Sequence, residues 1–213
     1  MKKKVILFDY DGTLMDTREG IVQSWRYVFK KLKNEDVTNE YLRQYFGKSL
    51  KGAIAEMFPD KSVDEVVAVY KEFALSSKAK RRELFYDAKE TVQRLHKDGY
   101  VLGLVTSRMH ESSVEGLTDE GLIDYFSVIV ASDDVEEIKP SAEPIERAMD
   151  ILGVSKEDVV MVGDTEFDLG SAKNADVTSA LVGWSDEREM LVNDESLAPD
   201  YIIEKFEDLY NII

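Results

Sequence analysis

Five short runs of β-branched and aliphatic residues recur along the chain, and they restrict its possible folds more than any other feature. They read "KVILF" (4–8), "VLGLVT" (101–106), "FSVIVAS" (126–132), "DVVMVG" (158–163) and "TSALVG" (178–183). Each is nearly continuous in apolar character, which is the pattern of strands covered on both faces, as in a parallel sheet. Helical periodicity fills the intervals at 84–98, 110–117, 141–152, 166–175 and 185–192. Parallel neighbours need a crossover connection, so the alternation predicts an α/β fold with a doubly wound, mostly parallel sheet of Rossmann-like type. Tyr201, Ile202 and Ile203 offer a short last strand at an edge.

One interval breaks this rhythm. From Asp16 to about Arg82 there is no strand-like run, only amphipathic patterns: "GIVQSWRYVFKKL" (20–32), "TNEYLRQYFG" (38–47), "LKGAIAEMF" (50–58) and "VDEVVAVYKEFAL" (63–75). Asp16 with Glu19 three residues on reads as a helix-opening box, while Gly47 and Pro59 mark breaks. An interval of about 65 residues is too long for a structureless loop. The spacing therefore predicts an inserted all-α domain over 16–82, between core segments 1–15 and 83–213. Trp25, Tyr27 and Phe29 in its first helix read as its core. Ligands of open α/β sheets bind beyond the carboxyl ends of the strands. The insertion leaves the first strand at that end, so it is expected to act as a lid.

Where strands end, polar residues begin. The first run stops at Asp9, and Asp11 follows before Gly12 and Thr13 let the chain turn; "VTSR" brings Thr106 and Ser107; "EEIKP" brings Lys139; "GDTEFD" brings Asp164 and Asp168. Taken singly, each has a plain structural explanation: a solvated acidic turn, a helix cap, a surface lysine, a capping aspartate. Taken together they bring to one sheet edge the groups a phosphate-and-metal site needs. A carboxylate such as Asp9 can attack phosphorus, and Asp11 can protonate the leaving oxygen and later activate water. Asp9 and Asp164 supply anionic oxygens for Mg²⁺, the backbone carbonyl of Asp11 a third ligand, and Asp168 a hold on a metal-bound water. The Thr106 hydroxyl, the backbone around Ser107 and Gly12, and the Lys139 charge are the candidates for the phosphoryl oxygens.

The net charge of -16 argues against a nucleic-acid or anionic-membrane partner. It also requires any anionic substrate to be met by a local cation. Without cysteine there are no disulfides, and a metal must be held by oxygen or imidazole. No apolar run approaches the roughly 20 residues needed to cross a bilayer, and the start resembles no signal peptide. A cytoplasmic location is expected.

The segments "DYDGTLMDT", "VTS", "IKP" and "GDTEFD", in this order and spacing, resemble the four motifs of the haloacid dehalogenase superfamily. The resemblance spans essentially the whole chain and implies that the helical insertion is that family's small cap. "YFGKSL" and "GDTEFDLGSAKNADV" are most similar to the phosphoglycolate phosphatase branch. It implies a Mg²⁺-dependent phosphatase of a small phosphorylated metabolite, with Asp9 as nucleophile through an aspartyl-phosphate, Asp11 as acid and base, and Thr106 and Lys139 as phosphate ligands. Mg²⁺ would sit on Asp9, the Asp11 carbonyl and Asp164. Independently of the resemblance, Lys48 and Lys51 flank a cap turn that would present one of them, Lys48 first, to a distal anionic group of the substrate, and a monomer or weak homodimer is expected. Departures fall at Ser49, Ser107, Arg108 and Ser141, and they bear on the substrate.

Inorganic pyrophosphatase and a β-phosphoglucomutase-like mutase share the chemistry at phosphorus, although "FGKSLKGA" offers lysines where such mutases use an arginine. A phospho-accepting receiver domain is the alternative of a different class; receivers are shorter and have no helical insertion. A D-x-D glycosyltransferase would leave "IKP" and "GDTEFD" without a purpose. His96 and His110 read as surface or helix-end residues, Lys51 as part of a solvated turn.

Overall fold

Side chains alternate along the first strand, so Ile6 and Phe8 enter one apolar layer and Val5 and Leu7 the other, all four inaccessible to solvent. This double burial explains why the run carries no polar residue. The computed structural model describes residues 4–76 and 82–213. Lys2 and Lys3 of the basic start, and residues 77–81 of the chain returning from the insertion, lie outside the described residues.

In chain order the strands are β1 (Val5–Phe8), β2 (Met15–Asp16), β3 (Glu83–Leu84), β4 (Val101–Val105), β5 (Val128–Val130), β6 (Val159–Gly163), β7 (Thr178–Val182) and β8 (Tyr201–Ile203). The α-helices are α1 (Arg18–Lys33), α2 (Asn39–Arg43), α3 (Leu50–Met57), α4 (Val63–Ala74), α5 (Ala88–Lys97), α6 (His110–Asp119), α7 (Glu143–Leu152), α8 (Glu166–Asn174) and α9 (Arg188–Asn193). Six strands form one sheet in the order β5-β4-β1-β6-β7-β8, and every neighbouring pair is parallel. The expected edge strand is present as β8, paired with β7. Val92 and Leu95 of α5 cover one face with Phe206 and Leu209; Ile145 and Ala148 of α7 and Ala172 of α8 cover the other. The strand order reverses at β1, flanked by β4 and β6, which makes its carboxyl end the switch point where such sheets take ligands.

Helices α1 to α4 pack around a cluster of their own that includes Trp25, Val28, Phe29, Ile54, Phe58 and Val66. Trp25 stacks on Phe58 at 6.3 Å between ring centroids, in keeping with its core reading. Tyr27 is only partly buried and spends its hydroxyl on Glu72. Ser49 caps α3 by accepting the Gly52 N–H, and Ser62 caps α4 by accepting that of Glu65. No helix among the described residues is long and apolar enough to cross a membrane.

Two local expectations fail for one reason. Asp16 does not open a helix: it pairs with Glu83 in the antiparallel β2–β3 ribbon, and Thr17 takes the cap position of α1. The Asp16 carboxylate accepts Arg18 Nε at 3.1 Å instead. The helix expected from 84 begins at Ala88, because Leu84 belongs to that ribbon and Asp87 has φ 61, outside the helical region. Two-residue strands carry too little periodicity to be read from sequence. The strand expected over 126–132 is shortened to β5, which is separated by two residues from the 3₁₀ turn Ile123–Tyr125 and ends at the turn that the Asp134 N–H closes on the Ala131 carbonyl.

Candidate active site

Asp9 is the first residue beyond β1, still tied to the sheet by its N–H to the Val162 carbonyl at 2.9 Å. The chain then folds back on itself: Leu14 and Met15 both donate to the Tyr10 carbonyl, and Gly12 to that of Met15. Extended geometry therefore stops at Phe8, and a tight turn brings Asp11 to the cavity that Asp9 borders. Gly12 makes this turn possible, with φ +80 and a position where a Cβ would lie 2.0 Å from Asp164 Oδ2. Trp184 Nε1 donates to the Gly12 carbonyl at 3.0 Å, and Thr13 Oγ1 to Asp164 Oδ1 at 3.3 Å. Gly12→Ala is expected to cost about 1–3 kcal/mol in urea unfolding from the backbone strain, with a further loss from the clash. A variant as stable as the parent contradicts this account of the turn.

The remaining residues arrive from other strand ends. Thr106 follows β4, is buried, and accepts the Arg108 N–H at 3.3 Å through Oγ1, which leaves its own proton to give. Ser107 Oγ is buried and has no hydrogen-bond partner among the described residues. Lys139, from the segment between β5 and α7, has a side chain only 3% exposed. It donates to Asp9 Oδ1 at 2.8 Å, Asp168 Oδ1 at 2.5 Å and the Val105 carbonyl at 3.2 Å. Asp164 follows β6. Asp168 Oδ2 accepts the N–H groups of Asp164 and Thr165 and the Thr165 hydroxyl, forming a capping box at the start of α8. Gly163 is required here, since a Cβ would meet that of Asp168 at 2.2 Å.

Carboxylate oxygens of Asp9, Asp164 and Asp168 lie within 4.8 Å of one another. Three carboxylates face one ammonium, and the imbalance shows in their proton affinities. Burial, opposed by Lys139, pushes Asp9 up to about 7. Burial and the like charges of Asp168 and Asp9 hold Asp164 well above the usual carboxylate range. Burial pulls Lys139 down, but Asp168 and Asp9 outweigh it and leave it above its ordinary value. An all-oxygen anionic donor set with excess negative charge suits a hard divalent cation such as Mg²⁺. Asp9 and Asp164 retain the oxygens to meet one, whereas both oxygens of Asp168 are already engaged.

Asp9, Asp11, Gly12, Thr106, Ser107 and Asp164 all border one cavity of about 700 Å³. Helices α1 and α4 and the segment before α3 supply its opposite wall, through Trp25, Tyr45, Gly47, Lys48 and Tyr70. Lys48 lies at the cavity but is paired with Glu56 at 2.6 Å. Lys51 is exposed and His110 is bound to Asp134 through Nδ1; neither borders the cavity. Sequence reasoning passed over Arg108 as a departure from pattern, yet its Nη1 contacts both oxygens of Asp11, at 2.9 and 3.3 Å. A cation two residues past the strand-end threonine was the available signal.

The profile of the haloacid dehalogenase-like hydrolases matches residues 6–182. A pyrophosphatase, PpaX of Halalkalibacterium halodurans, is 36% identical over 213 residues, covering 100% of this chain and 98% of the relative. Among solved structures, the "Putative Phosphatase" of Clostridium difficile is 29% identical with a TM-score of 0.78, covering 100% of this chain and 99% of that one. The "putative phosphoglycolate phosphatase" of Lactobacillus plantarum reaches a TM-score of 0.86 over 100% of both chains. At 21% identity the latter speaks for the fold alone.

Proposed function

Because this chain belongs to the haloacid dehalogenase-like hydrolase family and is a phosphatase of phosphorylated small molecules, we propose that it is a cytoplasmic, Mg²⁺-dependent enzyme working through phospho-Asp9, with inorganic pyrophosphate as its first substrate. The observation that carries this reading is the convergence of Asp9, Asp11, Thr106 and Asp164 on one cavity. The relative 36% identical along the whole chain favours pyrophosphate over the phosphoglycolate suggested by "YFGKSL".

Asp9, Asp164 and the Asp11 carbonyl would hold Mg²⁺, which when bound neutralises charge on the phosphoryl oxygens. A carboxylate oxygen of Asp9, oriented by Lys139, attacks phosphorus, and the bond from phosphorus to the leaving oxygen breaks. Asp11 gives that oxygen a proton. Asp11 then takes a proton from water, whose oxygen attacks the phosphorus of phospho-Asp9; the bond from phosphorus to Asp9 breaks, freeing phosphate and restoring the Asp9 carboxylate and the protonated Asp11. The Thr106 hydroxyl and the backbone N–H groups of Ser107 and Gly12 receive the phosphoryl oxygens. Asp168 acts one step back: it holds Lys139 and the backbone of Asp164, and any part it took in holding the cation would run through water. Residues 16–82 form the cap over the core segments 1–15 and 83–213, and its closure excludes bulk water.

The test is phosphate release from a panel of pyrophosphate, phosphoglycolate, hexose phosphates and p-nitrophenyl phosphate, with Mg²⁺ and with EDTA. Pyrophosphate should give the highest kcat/KM, and chelation should lower it roughly 100-fold or more. No release from any compound in the presence of Mg²⁺ would end the proposal.

A further inference from the structure

We propose that Arg108 is the receptor for a second anionic group on the substrate, and that engaging it releases Asp11 for proton transfer. The inference rests on the phosphatase reading above and names the substrate class: diphosphates and phosphorylated carboxylates, with two anionic groups a few bonds apart.

Three observations converge on this side chain. Its Nη1 is bound to both oxygens of Asp11, while Nε is buried without an acceptor and Nη2 has no partner among the described residues. A guanidinium carries five donors in a rigid fork, and the buried Nε left over here is costly to keep unpaired. The side chain remains 20% exposed, lies over the Tyr10 ring at 4.6 Å, and borders the cavity. Of the other cations at the cavity, Arg18 is held by Asp16 and Asp186, Arg82 by Asp119 and Lys48 by Glu56, whereas Lys71 on α4 has no ion pair among the described residues and no contact with Asp11. Arg108 is thus the cation joined directly to the acid–base carboxylate, in a chain whose overall charge repels anions.

The geometry couples recognition to catalysis. With both oxygens of Asp11 facing Arg108, the carboxyl group is not free to exchange a proton with the leaving oxygen. A phosphate or carboxylate entering beside Arg108 offers the fork a bidentate partner. The guanidinium can turn to it, satisfy the spare donors, and leave Asp11 to the reacting oxygen. A substrate with one anionic group has nothing to draw Arg108 away.

Arg108→Gln and Arg108→Lys separate this from a structural role. The ratio of kcat/KM for pyrophosphate to that for p-nitrophenyl phosphate should fall about 30-fold in Arg108→Gln. KM should carry most of the pyrophosphate loss, and Arg108→Lys should recover part of it. Equal losses on both substrates, in either variant, overturn the proposal. If the parent hydrolyses no phosphate, the proposed function fails instead, and calorimetry on the Mg²⁺-loaded protein still decides Arg108. A selective loss of imidodiphosphate affinity relative to methylphosphonate in Arg108→Gln supports it; an unchanged ratio of affinities overturns it.

Discussion

Asp9→Asn should reduce hydrolysis of p-nitrophenyl phosphate by about 10⁴-fold or more, the scale on which loss of a covalent nucleophile acts. An amide nitrogen or oxygen cannot take the place of a carboxylate oxygen attacking phosphorus, and the other acids of the site have other parts, Asp164 being the one that would hold the cation. Asp11 is turned toward Arg108, and both oxygens of Asp168 are occupied by Lys139 and the start of α8. The fold should survive. Asparagine has nearly the same shape, and it removes one of three carboxylates that lie within 4.8 Å of one another. Burial raises Asp9 to about 7, so its ionised form is a cost to the metal-free fold that the amide does not incur. Lys139 keeps Asp168 and the Val105 carbonyl as partners. The metal-free variant should therefore melt at or above the temperature of the parent. A variant that is folded and within tenfold of the parent rate refutes Asp9 as nucleophile.

The sheet was legible because its signals are long and redundant. Runs such as "VILF" and "VVMVG" are buried on both faces, and no helix of ordinary amphipathicity has that composition. The helical insertion was legible for the converse reason: its apolar residues recur at helical spacing around Trp25, Phe29 and Val66. The two-residue ribbon was not, since Met15–Asp16 pairs with a segment 68 positions away through contacts that leave no local trace. At the site, strand ends gave the positions of Asp9, Thr106 and Asp164, because a parallel sheet aligns its carboxyl termini. What each side chain touches was hidden. Lys139 reads from sequence as a phosphate ligand, but all three of its donors go to Asp9, Asp168 and Val105. Asp11 reads as a free acid, but Arg108 holds it. Pairings of this kind depend on side-chain directions across sequence gaps of 29 to 130 residues, beyond the reach of any periodicity.

The second large effect is expected at Lys139. Lys139→Met keeps most of the volume of the stem and removes the single ammonium among three carboxylates. Breaking a buried ion pair by deleting one partner costs about 3–5 kcal/mol, since the surviving charge is left uncompensated. For a chain of this size that corresponds to a fall of roughly 6–20 °C in Tm. The size should depend on pH, with a sign that can be worked out. Lys139 has a raised proton affinity, so its stabilising charge is fully present below the ordinary lysine value of 10.5 and is lost only as pH rises through its higher folded value. It is therefore constant between pH 5 and 8. Asp9 is an acid with a folded value raised from 3.8 to about 7; stability linked to its proton is present below the former and lost as pH rises through the latter. Without Lys139 the lowering influence on Asp9 disappears, so the carboxyl group keeps its proton further up the pH scale. In metal-free protein the deficit of Lys139→Met should thus be larger at pH 8 than at pH 5, and Mg²⁺ should restore more stability to the variant at pH 8 than to the parent. Melting curves of both proteins at the two pH values, with EDTA and with Mg²⁺, measure this directly. A deficit equal at both pH values would mean that lost packing of the lysine stem, and not unmatched charge, governs the site.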